Sequence, residues 1–143
     1  MSGTEGARAG GCLCGAVRFT ATPTKPKSSV CHCGMCRRWT GTAFLGVDVA
    51  KDIAIEGEAS LGRYVSSDIG ERQFCAACGS TLFWRKRDGS MVEVALGAFD
   101  DPSGLPLRTE LFIDAKPDSY SFAGEHRLIT EAQFRELTGG ANG

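Results

Sequence analysis

The sequence predicts a mostly β domain, a small sandwich of antiparallel sheets with one short C-terminal helix. Three observations carry that expectation: short runs rich in β-branched and aromatic residues, Gly, Asp and Ser turn signals between them, and one helix-start signature near Thr130.

In chain order, residues 16–21 (AVRFTA) alternate well enough for a strand, and the Pro-punctuated TPTKPKS that follows reads as a loop. Residues 42–49 (TAFLGVDV), 53–56 (IAIE), 61–66 (LGRYVS) and 72–75 continue the strand series. Asp88-Gly89 lies between 81–87 and 90–96 and predicts a two-residue hairpin. Arg85, Lys86 and Arg87 beside it read as a solvated hairpin tip. Thr130 opens a T-x-x-Q capping box with Gln133, places Phe134 and Leu137 on one face, and meets a stop at Gly139. That predicts a helix of about two turns, lying as a lid on the sheet edge. Residues 1–9 and 139–143, polar and Gly-rich, read as loose ends. With no internal repeat and no break in composition, residues 10–138 are expected to form a single domain.

At 42% hydrophobic and 23% charged residues, the 143-residue chain is neither disordered nor fibrous in composition. Sixteen Lys and Arg against 17 Asp and Glu leave a net charge of −1, too little field to recruit nucleic acid by counterion release. The longest uncharged stretch, from Gln73 to Trp84, falls well short of the roughly 18–20 residues that cross a bilayer, so no membrane partner is expected. The opening MSGTEGARAGG lacks the apolar run of a secretory signal, which points to a cytoplasmic, reducing location.

In that location the seven cysteines are read as ligands rather than disulfides. They form three clusters: Cys12-x-Cys14, Cys31-x-Cys33-x-x-Cys36 and Cys75-x-x-Cys78. Such spacings let sulfurs converge on one ion about 2.3 Å away, and zinc is the first candidate. Cys14 and Cys78 are each followed by glycine, which permits the positive φ that turns backbone N–H groups towards thiolates. Pairing these two knuckles predicts a closed structural site of Cys12, Cys14, Cys75 and Cys78. Cys31, Cys33 and Cys36 remain, and three ligands leave a coordination position free for water or substrate, as a catalytic zinc requires. Two other readings stay open at this point: a second closed site completed by His32 or His126, and no stable second metal. His32, wedged between two ligands, fits a hydrogen-bond donor to the cluster better than a ligand, and His126 reads as a surface loop histidine.

The segments GGCLCGAVRF, VCHCGMCRRWTGTAF, FCAACGSTLFW and VALGAFDDP, with the order and spacing of all seven cysteines, resemble the glutathione-dependent formaldehyde-activating enzyme family. That family includes the centromere protein V type of domain, and the similarity runs from about Gly10 to Phe122. The resemblance implies a zinc-bound two-sheet β-tent, a structural zinc on Cys12, Cys14, Cys75 and Cys78, and a catalytic zinc on Cys31, Cys33 and Cys36, two zinc ions per chain in all. It also implies a carbon–sulfur lyase, run as a synthase, that adds a small-molecule thiol such as glutathione to formaldehyde.

On this reading the metal either polarises the aldehyde oxygen or acidifies the thiol. Arg37 and Arg38 would meet the substrate's carboxylates, Trp39 and Phe44 would form an apolar wall, and Thr40-Gly41 would let the backbone approach the ligand. Consecutive arginines are also commonly just solvated. A catalyst acting on other thiol adducts and a non-catalytic zinc module that binds a protein partner are the alternative functions. Oligomeric state is not encoded in any motif of the chain.

Overall fold

The computed structural model describes residues 6–139. Two sheets dominate, in agreement with the expected fold class. The smaller has the order β1-β2-β5, where β1 is Arg8–Gly11, β2 is Arg18–Ala21 and β5 is Ala54–Glu56, all antiparallel. The larger comprises β3 (Ser28–Cys31), β4 (Phe44–Val49), β6 (Leu61–Val65), β7 (Gly70–Cys75), β8 (Thr81–Lys86), β9 (Val92–Ala95), β10 (Leu107–Leu111) and β11 (Arg127–Ile129). Its order is β11-β10-β3-β4-β9-β8-β7-β6.

The pattern of burial explains why two sheets form. In β4, Val47 and Val49 are buried on one face, and in β9 the buried pair is Val92 and Val94. With Phe83 they meet Phe19 and Ala21 of the small sheet, and Val17 just before β2, in one core. The Phe19 ring packs edge-on against Phe83 at 5.1 Å and Phe99 at 5.7 Å. Each aromatic removed from water here contributes about 2–3 kcal/mol. The opposite face of the large sheet carries a second apolar cluster built on Cys33, Cys36, Phe44 and Phe112. Two helices flank that cluster: α1 (Gly34–Thr40) and α2 (Glu131–Thr138).

Several expectations need correction. Residues 1–5 and 140–143 lie outside the described residues, but Arg8 and Ala9, read as part of a loose end, belong to β1. The sheets are not wholly antiparallel, because β10 runs parallel to both β3 and β11. The β8–β9 hairpin is present, yet Lys86 N–H bonds Met91 O across a four-residue loop, so Asp88-Gly89 is the centre of a longer turn. Only Arg87 of the basic run sits at that tip. Arg85 lies in β8, half-buried, and donates to Gln73 Oε1 at 3.0 Å.

The C-terminal helix is not alone, since α1 forms within the central cysteine segment. Cys33 caps it by accepting the Cys36 N–H at 3.4 Å, and Gly41, at φ 87°, ends it. Thr40 hydroxyl donates to Cys36 O at 2.9 Å, so Thr40 and Gly41 serve the end of the helix. The capping box of α2 is complete, with Thr130 and Gln133 exchanging bonds. Phe134 packs on Phe112 at 5.1 Å while Leu137, on the same expected face, stays exposed. Among the described residues no helix is long and apolar enough to cross a membrane.

Candidate functional site

The first knuckle is the turn between β1 and β2, and the second is the turn between β7 and β8. Gly15 (φ 83°) and Gly79 (φ 81°) adopt the left-handed conformation expected of them. Their N–H groups bond Cys12 O and Cys75 O, while Val17 N–H reaches Cys12 Sγ at 3.2 Å and Cys78 N–H reaches Cys75 Sγ at 3.4 Å. The four sulfurs of Cys12, Cys14, Cys75 and Cys78 lie within 4.8 Å of one another. Cys14 is 3.7 Å from Cys12 and 3.8 Å from Cys75. Four sulfurs at 2.3 Å from a tetrahedral ion stand about 3.8 Å apart, so the group fits zinc without rearrangement. The Ser80 hydroxyl, 3.2 Å from Cys78 Sγ, together with backbone N–H groups, pulls the Cys78 thiol down to about 5. Such a thiol offers its ionised form at neutral pH.

On the far side of the large sheet, Cys31 at the end of β3 and Cys33 and Cys36 at the start of α1 bring three sulfurs within 4.8 Å. Cys33 accepts hydrogen bonds from Cys31 and Cys36, which hold its thiol far below the ordinary range. Cys33 and Cys36, together with burial, push the Cys31 thiol up. Three thiols this close cannot all ionise unless a cation offsets their charge, which is the donor chemistry of a metal site.

One such cation is part of the protein. Arg72 of β7, only 3% exposed, places Nη1 3.6 Å from Cys36 Sγ, and its guanidinium lies 4.8 Å above the Trp39 ring. Trp39 in turn stacks on Phe44 at 5.1 Å. The three cysteines open into a cavity of about 270 Å³ walled by apolar side chains including Phe44, Trp84, Leu111, Phe112 and Phe134. Arg72, Lys86 and Glu93 supply its charged groups.

Of the side chains expected to hold substrate, Arg37 and Arg38 are exposed on α1. Arg38 and Trp39 line a separate, shallower depression with Tyr64, Arg72 and Phe74. Phe44 alone of the expected apolar wall borders the cysteine cavity. His32 does not donate to the cluster. It points to the other face of β3, buried, with Nε2 2.8 Å from Glu110 Oε1 and Nδ1 3.5 Å from the Tyr120 hydroxyl. His126 is not a surface histidine either, because its side chain is 5% exposed and bonds Glu110 Oε2 at 2.7 Å. Both readings failed for one reason: Glu110, on a strand with no β-branched run to announce it, collects the two rings.

Sequence reasoning missed Arg72, Glu93 and Glu110. A charged residue at inward parity within a strand-like run was the available signal for Arg72 and Glu93, and Glu110 had none.

Comparison with known proteins agrees with this geometry. The chain is 32% identical over 122 residues to an uncharacterized lyase of Schizosaccharomyces pombe, covering 85% of this chain and 89% of that one. It is 30% identical over 120 residues to a putative glutathione-dependent formaldehyde-activating enzyme of Halomonas elongata, covering 76% of each. The crystal structure of a Rhodobacter sphaeroides protein superposes with a TM-score of 0.58 at 22% identity, over 69% of this chain and 98% of that one, and so shares the fold. The sequence model named for the glutathione-dependent formaldehyde-activating enzyme matches residues 7–115. With its two cysteine groups placed to hold metal, this chain belongs to the glutathione-dependent formaldehyde-activating enzyme family.

Proposed function

We propose that this protein is a zinc-dependent carbon–sulfur lyase, run as a synthase, whose product is the adduct of glutathione with formaldehyde or a related small aldehyde. The observation that carries the reading is the cavity itself: three convergent cysteines lining a pocket with mostly apolar walls, separate from a four-cysteine group suited to a structural ion. In this reading Cys31, Cys33 and Cys36 hold the catalytic zinc, and Cys12, Cys14, Cys75 and Cys78 hold the structural one. Bound at the three cysteines, zinc would supply a centre that acidifies a thiol or polarises an aldehyde oxygen.

The chain's own groups supply the rest. Arg72 offsets the negative charge of three thiolates, which would otherwise repel an incoming thiolate. Phe44, Trp84 and Phe112 exclude bulk water, so an adduct formed there is shielded from exchange with solvent. Substrate carboxylates would meet Arg37 or Arg38 on the exposed side of α1, with Trp39 as the apolar contact.

The test is turnover of purified, zinc-loaded protein with a panel of thiol–aldehyde pairs, followed by consumption of formaldehyde. Glutathione with formaldehyde should react fastest. No rate above the spontaneous reaction with any pair would overturn the reading and leave a metal-binding module.

A further inference from the structure

The large sheet sets four side chains in a row beside the cysteine cavity. Arg72 of β7 stands directly opposite Trp84 of β8, Trp84 opposite Glu93 of β9, and Glu93 opposite Asp48 of β4. Residues opposite one another in a ladder project from the same face, so the row is a consequence of register. Glu93 lines the cavity together with Cys31, Cys33 and Cys36. Asp48 lies behind it, with Oδ1 buried and lacking a hydrogen-bond partner among the described residues. Two carboxyls set side by side in a ladder disfavour each other's ionisation, which favours a proton on one of them.

We propose that the Asp48–Glu93 carboxyl pair is the proton carrier of this cavity, with Glu93 the member that meets substrate. The proposal rests on the thiol–aldehyde reading above. In the synthetic direction the thiol sulfur bonds to the aldehyde carbon as the carbonyl π pair moves to oxygen. Glu93 gives its proton to that oxygen and is recharged by the proton that leaves sulfur. One S–C bond forms, one C=O becomes C–OH, and no other reactant is consumed. In the reverse direction the Glu93 carboxylate takes the hydroxyl proton as the C–S bond breaks, and the departing sulfur recovers it. A cavity with apolar walls has little water to perform this transfer, so a fixed acid is needed there.

Burial and Asp48 favour a proton on Glu93, and the cations around it oppose them. Burial and Asp48 push the Glu93 carboxyl up to about 8, against the opposing pull of Arg72. Lys86 of β8 borders the same cavity, and Lys25, Lys27 and Arg127 border an adjoining groove that Glu93 and Asp48 also line.

The experiment compares wild-type, Glu93→Gln, Glu93→Asp and Asp48→Asn, all zinc-loaded, with glutathione and formaldehyde across pH. Glu93→Gln should lower kcat about 10²–10³-fold with KM and zinc content little changed. Wild-type activity, corrected for the spontaneous reaction, should fall as pH rises through about 8, where Glu93 loses its proton, and this limb should vanish in Glu93→Gln. Glu93→Asp should recover part of the rate, and Asp48→Asn should move the limb to lower pH. As a readout independent of turnover, carboxyl carbon NMR should show one glutamate resonance titrating near 8 that is lost in Glu93→Gln and shifts when glutathione binds. A Glu93→Gln enzyme with wild-type kcat and pH profile, or a resonance indifferent to glutathione, would remove Glu93 from the reaction while leaving the thiol–aldehyde function intact. Wild-type protein inactive with every thiol–aldehyde pair would remove both.

Discussion

The Arg72 guanidinium and the Cys36 sulfur stand 3.6 Å apart in a setting nearly closed to water, which joins β7 to the first turn of α1. A charge in that position favours the thiolate form of its neighbour without occupying a coordination position. Replacing Arg72 with Ala should weaken zinc at the three-cysteine group about 10–100-fold, as loss of an outer partner typically does. Competition against a chelator would measure this, with the four-cysteine group as an internal control that should not change.

Cys36→Ser should abolish turnover and leave the fold in place, because the side chain serves the cavity rather than the main core. Elemental analysis should find about two zinc ions per chain in the wild type and about one in the variant. Circular dichroism should be unchanged. A fully active variant would exclude the cluster from catalysis.

Cys75→Ser should act oppositely, on folding before activity. Cys75 is fully buried, and its group holds the β1–β2 turn against the β7–β8 turn. Structural zinc sites contribute folding free energy directly. The variant should melt at a lower Tm, and a strong chelator should lower the wild-type Tm towards the same value.

Glu110 gives a pH-dependent prediction. Burial raises its carboxyl, but hydrogen bonds from His32 and His126 outweigh this and hold it below the ordinary range. A carboxyl depressed in the folded state contributes stability that is present above its unfolded value and is lost as pH falls through the folded value. Glu110→Gln should therefore cost about 2–4 kcal/mol at pH 7 by leaving buried partners unpaired. The difference from wild type should shrink steadily on acidification in paired urea titrations.

Two glycines separate backbone strain from crowding. Gly57 and Gly15 both have φ above 80°, yet a Cβ on Gly57 would stand 1.9 Å from Ala16 O, while one on Gly15 meets open space. Gly15→Ala should cost about 1–2 kcal/mol from left-handed strain alone. Gly57→Ala should cost clearly more, because backbone must move; equal effects in denaturant melts would contradict the close approach.

Much of the site was readable because cysteine spacing is a local property. The three clusters fell into the same groups of four and three that the folded chain brings together. Strand β4 announced itself through buried Val47 and Val49 at alternate positions. The sequence RAGG of β1 carries no such signal and becomes a strand only because β2 offers it a ladder. Likewise α1, seven residues beginning with Gly, has little helical propensity of its own and depends on its Cys33 cap and Gly41 stop. Arg72, Glu93 and Asp48 were illegible as a set, since the strands that carry them are distant in sequence. A register slip of one residue in any of those strands would send its side chain to the other face.

The two cysteine groups differ in how much chain each must gather. Cys31, Cys33 and Cys36 lie within a single strand-to-helix turn, so collecting their sulfurs asks little of the polymer. Cys14 and Cys75 are 61 residues apart, and cross-linking a loop of that length removes roughly 4 kcal/mol of chain entropy from the unfolded ensemble. An ion held there acts as a clasp on the whole intervening segment, which contains the entire three-cysteine cluster and β3 to β6. An ion at the distant knuckles would thereby govern how long the three-cysteine pocket stays assembled, although neither knuckle touches it.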